Sequence, residues 1–276
     1  MKLRLRDDRV LTFPPMKVMG ILNLTPDSFY ARSRVPSHEE AVLRAKKMIE
    51  DGAEILDIGG ESSRPGSDPV SPDEEIRRIV PVIRELKCAF PETLLSVDTY
   101  HSATIEAALT VGADIANDIT ALADPAYAKI VSEAGAPVIL MHMQGKPKTM
   151  QENPHYDDVV EDVLDFLKER TDRALAAGIA KDRILIDPGI CFGKTYEQNM
   201  ELIRNIDRFH VLELPVLLAV SRKSFIGKAL RLPDPKDRLE GTMAVSAWAA
   251  TNGIEMIRVH DVLENTRIVR MMEEIL

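Results

Sequence analysis

The stretch EDGAEILDIGGE, at residues 50–61, contains the junction that decides the fold of this 276-residue chain. A helical segment ends at Gly52, because glycine adopts the left-handed conformation after a last helical turn without a Cβ penalty. A short apolar run follows at once and ends in a polar loop. This order of helix end, glycine and buried strand is typical of a βα unit.

The same junction occurs at five places along the chain: Gly52, Gly112, Gly135, Gly178 and Gly253. Eight short apolar runs each end in a polar or charged residue: Val18–Leu22, Ile55–Ile58, Leu94–Val97, Asp114–Ala116, Val138–Met141, Ile184–Ile186, Val216–Val220 and Met256–Val259. Nearly continuous apolarity indicates parallel strands that are buried on both faces.

We therefore predict one (β/α)8 TIM barrel at residues 17–276, preceded by a short strand or hairpin at residues 1–16. A doubly wound open sheet also alternates strands and helices. Eight units with polar strand ends favour the closed barrel, whose active sites lie at the carboxyl ends of the strands.

The composition excludes several classes of protein. Hydrophobic residues make up 45% of the chain, which is enough for a substantial core. No apolar stretch approaches the roughly 20 residues of a membrane helix. The net charge of −9 argues against nucleic acid as a partner. Cys88 and Cys191 are far apart and suggest no disulfide framework, so we expect a cytoplasmic protein.

Three short polar acceptors follow predicted strands: Asp98, Asn117 and Asp187. Burying such groups without donors is unfavourable, so each needs an N–H partner. A ligand edge with several N–H groups, such as a guanidine-like heterocycle, would provide these partners. Alternatively, such residues cap helices or accept from loop amides, which is the interpretation that we prefer for Asp118.

Cationic side chains follow the last two predicted strands. Lys223 comes just after the seventh strand, and Arg258 and His260 lie at the end of the eighth. Barrels often bind phosphate after these two strands, and residues two apart in a strand share a face, so the pattern predicts an anion site. Asn23, after the first strand, offers an oxygen suited to Mg²⁺ or an ordinary turn.

The loop at residues 59–66 contains Arg64, whose guanidinium can bind a phosphate; a solvated arginine is the alternative. We interpret Glu61 and His142 as structural residues. No histidine or second carboxylate lies at metal-ligand spacing from the aspartates of the acceptor set. The sequence also contains no Ser-His-Asp arrangement and no context for a cysteine nucleophile.

Taken together, these motifs resemble the dihydropteroate synthase family, and the resemblance covers nearly the whole barrel. The matching stretches are NLTPDSF at 23–29, GESSRPG at 60–66, SVDTY at 96–100, NDI at 117–119, MHM at 141–143, DPG at 187–189, FGK at 192–194, SRKSFIG at 221–227 and RVHD at 258–261. Each motif is weak alone, but their common order along the chain is specific.

The resemblance implies a transferase of folate biosynthesis that joins 6-hydroxymethyl-7,8-dihydropterin pyrophosphate to 4-aminobenzoate, giving 7,8-dihydropteroate and pyrophosphate. It also implies a homodimer. In such an enzyme, Asp98, Asn117 and Asp187 hold the N–H edge of the pterin. Lys223 binds the pterin carbonyl and borders the aminobenzoate pocket.

The resemblance further implies that Asn23, Arg258 and His260 hold the pyrophosphate, with Mg²⁺ near Asn23. In the same way, Ser63, Arg64, Pro65 and Phe192 complete the aminobenzoate site. Lys223, Arg64 and Asp98 are then the residues expected to act in catalysis.

The chain departs from the family pattern in two places. After Phe29 the family often carries Ser-Asp-Gly-Gly, whereas this chain has YARSR at residues 30–34, so Arg32 or Arg34 is a candidate for reaching the pyrophosphate. Cys191 replaces a common glycine beside the aminobenzoate pocket.

Two other functions remain open from the sequence. A pterin-binding methyltransferase on a similar barrel would keep the acceptors but has no pyrophosphate to hold, so the Ser-Arg-Lys-Ser and Arg-Val-His stretches argue against it. The altered first loop also makes a non-catalytic pterin-binding protein conceivable.

Overall fold

The computed structural model of this protein describes residues 1–25, 38–63 and 66–276. The strands are β1 (Lys2–Arg4), β2 (Val10–Thr12), β3 (Lys17–Asn23), β4 (Ile55–Gly59), β5 (Leu94–Asp98), β6 (Ile115–Asp118), β7 (Val138–Met141), β8 (Ile184–Asp187), β9 (Leu217–Ala219) and β10 (Met256–Val259). The α-helices are α1 (His38–Glu50), α2 (Pro72–Ala89), α3 (Ser102–Thr110), α4 (Pro125–Glu133), α5 (Val159–Ala176), α6 (Tyr196–Arg204), α7 (Ser224–Leu230), α8 (Leu239–Thr251) and α9 (Val262–Ile275). Short 3₁₀ turns cover Lys181–Arg183, Ile206–Leu212 and Pro235–Asp237.

Eight strands form one sheet in the order β8-β7-β6-β5-β4-β3-β10-β9, and neighbouring strands in that order are parallel. A parallel bridge between Ile186 and Val216 joins the two ends of this order. The backbone N–H of Ile186 also donates to the carbonyl of Pro215 at 3.0 Å. The predicted barrel is therefore confirmed, and each of the eight apolar runs overlaps one of its strands.

Glycine ends the helix before the strand at all five predicted junctions. The backbone φ angles of these residues are all positive: Gly52 at 103°, Gly112 at 109°, Gly135 at 60°, Gly178 at 89° and Gly253 at 70°. This is the left-handed conformation that residues with a Cβ atom rarely adopt. The chain can thus leave each helix and enter the next strand within a few residues.

The N-terminal segment forms an antiparallel hairpin of β1 and β2, as predicted. Its apolar side chains close the amino-terminal end of the barrel, where they pack against a layer with one residue from each barrel strand. The hairpin contributes Leu3, Leu5 and Phe13, and the strands contribute Met19, Ile55, Leu94, Ile115, Ile139, Leu185, Leu217 and Met256. The opposite, carboxyl end of the barrel is consequently the open one.

Helix α2 begins with the predicted cap. The Ser71 hydroxyl accepts a hydrogen bond from the backbone N–H of Glu74 at 3.3 Å, and Pro72 occupies the first turn. The helix continues through Pro81 to Ala89. Its first turn brings Glu75 to the carboxyl end of the barrel, where this side chain is buried.

Two expectations from the composition concern the membrane and the cysteines. Among the described residues, none of the helices has the length and apolarity needed to cross a membrane. Cys88 and Cys191 are both free thiols.

Candidate active site

A row of residues at the ends of four neighbouring strands forms the floor of the site. The strand register places Asn23 beside Gly59, Gly59 beside Asp98 and Asp98 beside Asn117. A Cβ atom on Gly59 would lie 3.3 Å from the Asn23 Oδ1 atom and 3.6 Å from the Asp98 Cβ atom. A side chain at this position would therefore crowd Asn23 and Asp98, which glycine avoids.

Asp57 lies at the centre of the site, on β4, and is completely buried. One of its oxygens, Oδ2, accepts from the Arg258 Nε atom at 2.5 Å and from the Asn117 Nδ2 atom at 3.1 Å. The Asn117 amide must point its nitrogen at this carboxylate, so its Oδ1 atom remains available as an acceptor. Asp57 thus orients two residues that the sequence had assigned to different substrate groups.

Arg258 joins the acceptor residues to the cationic residues. Its Nη2 atom donates to Asp98 Oδ2 at 2.7 Å, in addition to the bond from Nε to Asp57. Burial raises the pKa of Asp98, and the Arg258 guanidinium opposes that rise. The Nη1 atom of Arg258 has no hydrogen-bond partner among the described residues, so it can donate to a bound anion.

Asp187 and Lys223 form the other side of the site. Asp187 is buried and accepts from the backbone N–H of Gly189 at 2.7 Å, and burial raises its pKa. The Lys223 Nζ atom donates to the carbonyl of Ile190 at 2.7 Å and lies 4.8 Å from the centre of the Phe192 ring. Burial lowers the pKa of Lys223. The structure thus brings together three residues that the sequence had predicted as ligand contacts.

Lys194 stabilises the loop after β8 through hydrogen bonds to its backbone. This buried lysine donates to the Gly189 and Phe192 carbonyls at 2.9 and 3.0 Å, and its Nζ atom lies 2.8 Å from His142 Nδ1. Burial lowers the pKa of Lys194 to about 7 and that of His142 to about 2. A neutral His142 therefore accepts from Lys194, in agreement with the structural role expected for this histidine.

His260 lies at the rim of the site. Its Nδ1 atom is 3.0 Å from the Ser221 hydroxyl oxygen, and its backbone N–H donates to the same oxygen at 3.1 Å. A hydroxyl that accepts from the backbone N–H can donate to Nδ1, and that arrangement leaves the ring proton on Nε2. Arg222, which precedes Lys223, forms a two-bond ion pair with Asp261.

A polar cavity lies beside Asn23, Asp98 and Arg258 at the open end of the barrel. It is lined by Asn23, Thr25, Glu61, Ser62, Ser63, Asp98 and Arg258. Ser63 lines this cavity together with Asn23 and Asp98 of the floor. Arg64, Pro65 and the segment from Phe29 to Arg34 lie outside the described residues.

Asp57 and Lys194 are the members of this site that the sequence analysis missed. Asp57 interrupts an otherwise apolar strand at a position that faces the barrel interior, and such a lone carboxylate was a usable signal. Lys194 was visible only as part of the FGK stretch, and its contact with His142, which is 52 residues away, forms only in the folded barrel. Asp118, in contrast, accepts from the loop amides of Thr120 and Leu122, as predicted.

Asn23 is suited to bind a Mg²⁺ ion that has few protein ligands. Its side-chain oxygen faces the polar cavity beside Gly59, and an amide oxygen is a ligand that this cation accepts. Mg²⁺ usually keeps several waters and binds phosphate oxygens of the substrate, so one amide ligand is compatible with such a site.

Comparison with known proteins gives a consistent picture. Residues 19–260 match the model of the pterin binding enzyme family. The chain is 46% identical to the dihydropteroate synthase of Escherichia coli strain K12 over 256 residues, which is 93% of this chain and 90% of the relative. It is 40% identical to the Haemophilus influenzae dihydropteroate synthase over 267 residues, 97% of this chain and 96% of that one.

Solved structures agree with the sequence relatives. A crystal structure of Yersinia pestis dihydropteroate synthase with a sulfonamide drug superposes with a TM-score of 0.92 at 42% identity, covering 100% of this chain and 98% of that chain. The Xanthomonas albilineans dihydropteroate synthase with 4-aminobenzoic acid gives 0.92 at 40% identity, with the same coverage.

Proposed function

This chain belongs to the dihydropteroate synthases of the pterin binding enzyme family, and we propose that it condenses 6-hydroxymethyl-7,8-dihydropterin pyrophosphate with 4-aminobenzoate. The products are 7,8-dihydropteroate and pyrophosphate, so the enzyme is a transferase of folate biosynthesis. The observation that carries this proposal is the Asp57 network, because it holds an acceptor for the pterin and a cation for the leaving group in one rigid unit.

We propose that Asp98, Asn117 and Asp187 bind the N–H edge of the pterin. Asn117 presents its carbonyl oxygen because Asp57 binds its nitrogen. Asp187 is buried at the end of β8, where an N–H partner from a ligand would offset its desolvation. Lys223 is within reach of the same region and donates to the pterin carbonyl.

We propose that Arg258 and His260, together with Asn23, bind the pyrophosphate. Arg258 uses its Nη1 atom, since Nε and Nη2 are engaged by Asp57 and Asp98. His260 uses Nε2, which carries the proton when Ser221 donates to Nδ1. A helper cation, Mg²⁺ held by Asn23, would supply further positive charge to the pyrophosphate oxygens.

The reaction needs no protein nucleophile. The bond between the pterin methylene carbon and the pyrophosphate oxygen breaks, and the electron pair leaves with pyrophosphate. The pterin ring spreads the positive charge on the methylene carbon, and the nitrogen of 4-aminobenzoate attacks that carbon and then loses a proton. The residues above act by positioning both substrates and by stabilising the charge that develops on the leaving group.

We propose that Phe192, Ser63 and Arg64 form the 4-aminobenzoate pocket, next to Lys223. Phe192 supports this placement because its ring packs against the Lys223 ammonium group, 4.8 Å from the ring centre. Ser63 supports it because it lines the cavity that contains Arg258. The placement of Arg64 in this pocket rests only on the resemblance of the GESSRPG stretch to the family pattern.

Product analysis tests this function against its rivals. The purified protein, incubated with both substrates and Mg²⁺, should form 7,8-dihydropteroate, identified by liquid chromatography and mass spectrometry. A methyltransferase would instead bind methyltetrahydrofolate and show no affinity for pyrophosphate in isothermal titration. A protein that binds the pterin substrate and forms no product would contradict the proposal.

We further propose that residues 17–276 act as the catalytic barrel, that residues 1–16 form a separate closing hairpin, and that the protein works as a homodimer. Exposed Leu230, Trp248 and Met271 on the last three helices support an interface between copies. Sedimentation equilibrium should give twice the 30.8 kDa mass of one chain. The two free cysteines are consistent with the cytoplasmic location that we propose.

A further inference from the structure

Three titratable side chains meet beside the active site without taking part in the proposed reaction. Glu61 lies in the loop after β4, Glu75 in the first turn of α2, and His101 at the start of α3. The Glu75 Oε2 atom is 3.0 Å from His101 Nδ1, and Glu61 Oε2 is 3.8 Å from the same nitrogen. Each residue thus directs one ligand atom toward a common point, and these atoms all lie within 4.8 Å of one another.

One oxygen in this triad is not satisfied by the protein. Glu61 Oε2 is buried and has no hydrogen-bond partner among the described residues. The Glu61 side chain is only 9% exposed, so water has little access to this oxygen. A buried carboxylate oxygen without a donor is unfavourable, and a bound cation would remove this deficit.

Neighbouring hydroxyls hold the two carboxylates in place. Tyr100 donates to Glu61 Oε1 at 2.8 Å, which turns Oε2 toward His101. Thr99 donates to Glu75 Oε2 at 2.7 Å. Hydrogen bonds of this kind, from residues around the ligands, are a regular feature of metal sites, because they orient ligating carboxylates.

The charge of the triad also favours a dication. The neighbouring Glu75 raises the pKa of His101, and with both carboxylates ionised the triad carries a charge of −1 when His101 is protonated and −2 when a metal displaces that proton. One imidazole nitrogen and two carboxylate oxygens are ligands that Zn²⁺ binds in three-residue sites, with a fourth position left for water. Asn23 offers a single amide oxygen, which suits Mg²⁺, so the two sites differ in chemistry.

We propose that Glu61, Glu75 and His101 form a Zn²⁺ site that joins the loop after β4 to helices α2 and α3. The site adjoins a cavity lined by the triad members Glu61 and Glu75 and by Ser63 and Asp98. Metal binding would therefore fix the segment that carries Ser63 next to the floor of the active site. This inference does not depend on the proposed reaction, because Zn²⁺ binding is measured without substrate.

Isothermal titration of the full chain with Zn²⁺, after removal of metals with a chelator, tests the site. We expect one Zn²⁺ per chain, with the affinity lowered at least tenfold in Glu61→Gln and in His101→Gln. The side-chain amide introduced by Glu61→Gln can still accept from Tyr100 through its carbonyl oxygen, so that variant should fold. Circular dichroism and thermal melting without metal check the folding of both variants. Addition of Co²⁺ should give visible absorption bands in the wild type and weaker bands in the variants.

His210→Gln is the matched control. His210 also pairs with a buried carboxylate, at 3.2 Å from the Glu255 Oε2 atom, but in the described part of the chain no second carboxylate completes a three-residue cluster with that pair. This variant should bind Zn²⁺ like the wild type. The proposal is wrong if the wild type binds no Zn²⁺, if Glu61→Gln and His101→Gln bind it as tightly as the wild type, or if all three variants weaken binding equally.

Discussion

At the scale of single residues, Asp57 is central to the site, although no motif pointed to it. Its one oxygen binds both Arg258 and Asn117, so a change there should disturb the leaving-group side and the pterin side together. The carboxylate is fully buried and cannot exchange these partners for water. We therefore regard it as a positioning residue that acts through its two neighbours.

Asp57→Asn should lower kcat/KM by about 10- to 100-fold, since a hydrogen bond to a charged group contributes about 1.5–3 kcal/mol. Steady-state kinetics should show the loss for the pterin substrate more than for 4-aminobenzoate. Ser96→Ala is the control, because Ser96 is the strand neighbour of Asp57, is equally buried and has a hydroxyl with no hydrogen-bond partner among the described residues. An unchanged Asp57→Asn enzyme would show that the network is only structural.

The buried His142 side chain should make the free energy of unfolding depend on pH. Burial lowers its pKa to about 2, so below pH 6.5 the unfolded chain takes up a proton that the folded state does not, and the free energy of unfolding must fall as the pH falls. Urea unfolding at pH 7 and pH 5 should show a loss about 2 kcal/mol larger for the wild type than for His142→Gln. His155→Gln, at an exposed histidine, should keep the wild-type pH dependence. Equal pH dependence in wild type and His142→Gln would contradict this account.

The sequence predicted where the strand-end residues lie in the fold, but it did not predict the contacts between them. Asp98, Asn117, Asp187, Lys223 and Arg258 all lie at the carboxyl end of the barrel, because strand order alone brings those ends together. It did not reveal that Arg258 pairs with Asp98, which joins two sides that the motifs had separated. Nor did it reveal the triad of Glu61 and its partners, because the ligand atoms come from three distant segments.

At the scale of elements, glycine has two different roles at the ends of strands and helices. The five junction glycines share a left-handed backbone, which is why a local pattern predicted them. A Cβ atom would also meet the Thr266 side chain at 2.8 Å on Gly52 and the Ser132 side chain at 2.9 Å on Gly178. Gly189 needs more, because a Cβ atom there would lie 1.8 Å from the backbone oxygen of His142. That requirement comes from packing against the residue that follows β7 and was invisible in the sequence.

Gly189→Ala and Gly135→Ala separate these two roles. Both glycines have a similar positive φ, 68° and 60°, but the nearest atom to a Cβ on Gly135 is 3.7 Å away. Gly135→Ala should lower the free energy of unfolding by about 1–2 kcal/mol, the strain of a left-handed residue. Gly189→Ala should lower it further and also reduce turnover, because the loop carries Phe192 and the Ile190 carbonyl. If the two variants had the same free energy of unfolding and the same turnover, the packing explanation for Gly189 would be wrong.

At the scale of the whole molecule, one end of the barrel contributes stability and the other end contains the site. The hairpin of β1 and β2 closes the amino-terminal end with an apolar layer, and the site occupies the carboxyl end. This division was predictable in outline, since the hairpin and the strand ends were both visible as patterns. Which hairpin side chains enter the barrel depended on packing and had to come from the structure.

Leu3→Ala tests this division. Leu3 is completely buried in the closing layer, so the truncation should leave a cavity and lower the free energy of unfolding by about 2–5 kcal/mol. Because the cavity lies at the far end of the barrel, KM and kcat at 25 °C should stay close to wild type. Thermal melting and steady-state assays on the same preparation check both parts, and a large change in KM would contradict the division.

Release of pyrophosphate from the dihydropterin substrate, measured with and without 4-aminobenzoate, tests both the proposed function and the proposed site. We expect rapid release by the wild type that depends on 4-aminobenzoate. Release should be lowered at least 100-fold in Lys223→Ala and in Asp187→Asn, as for loss of about 3 kcal/mol of transition-state binding. No release, or release unaffected by 4-aminobenzoate, would contradict the function. Full activity in both variants would contradict the site.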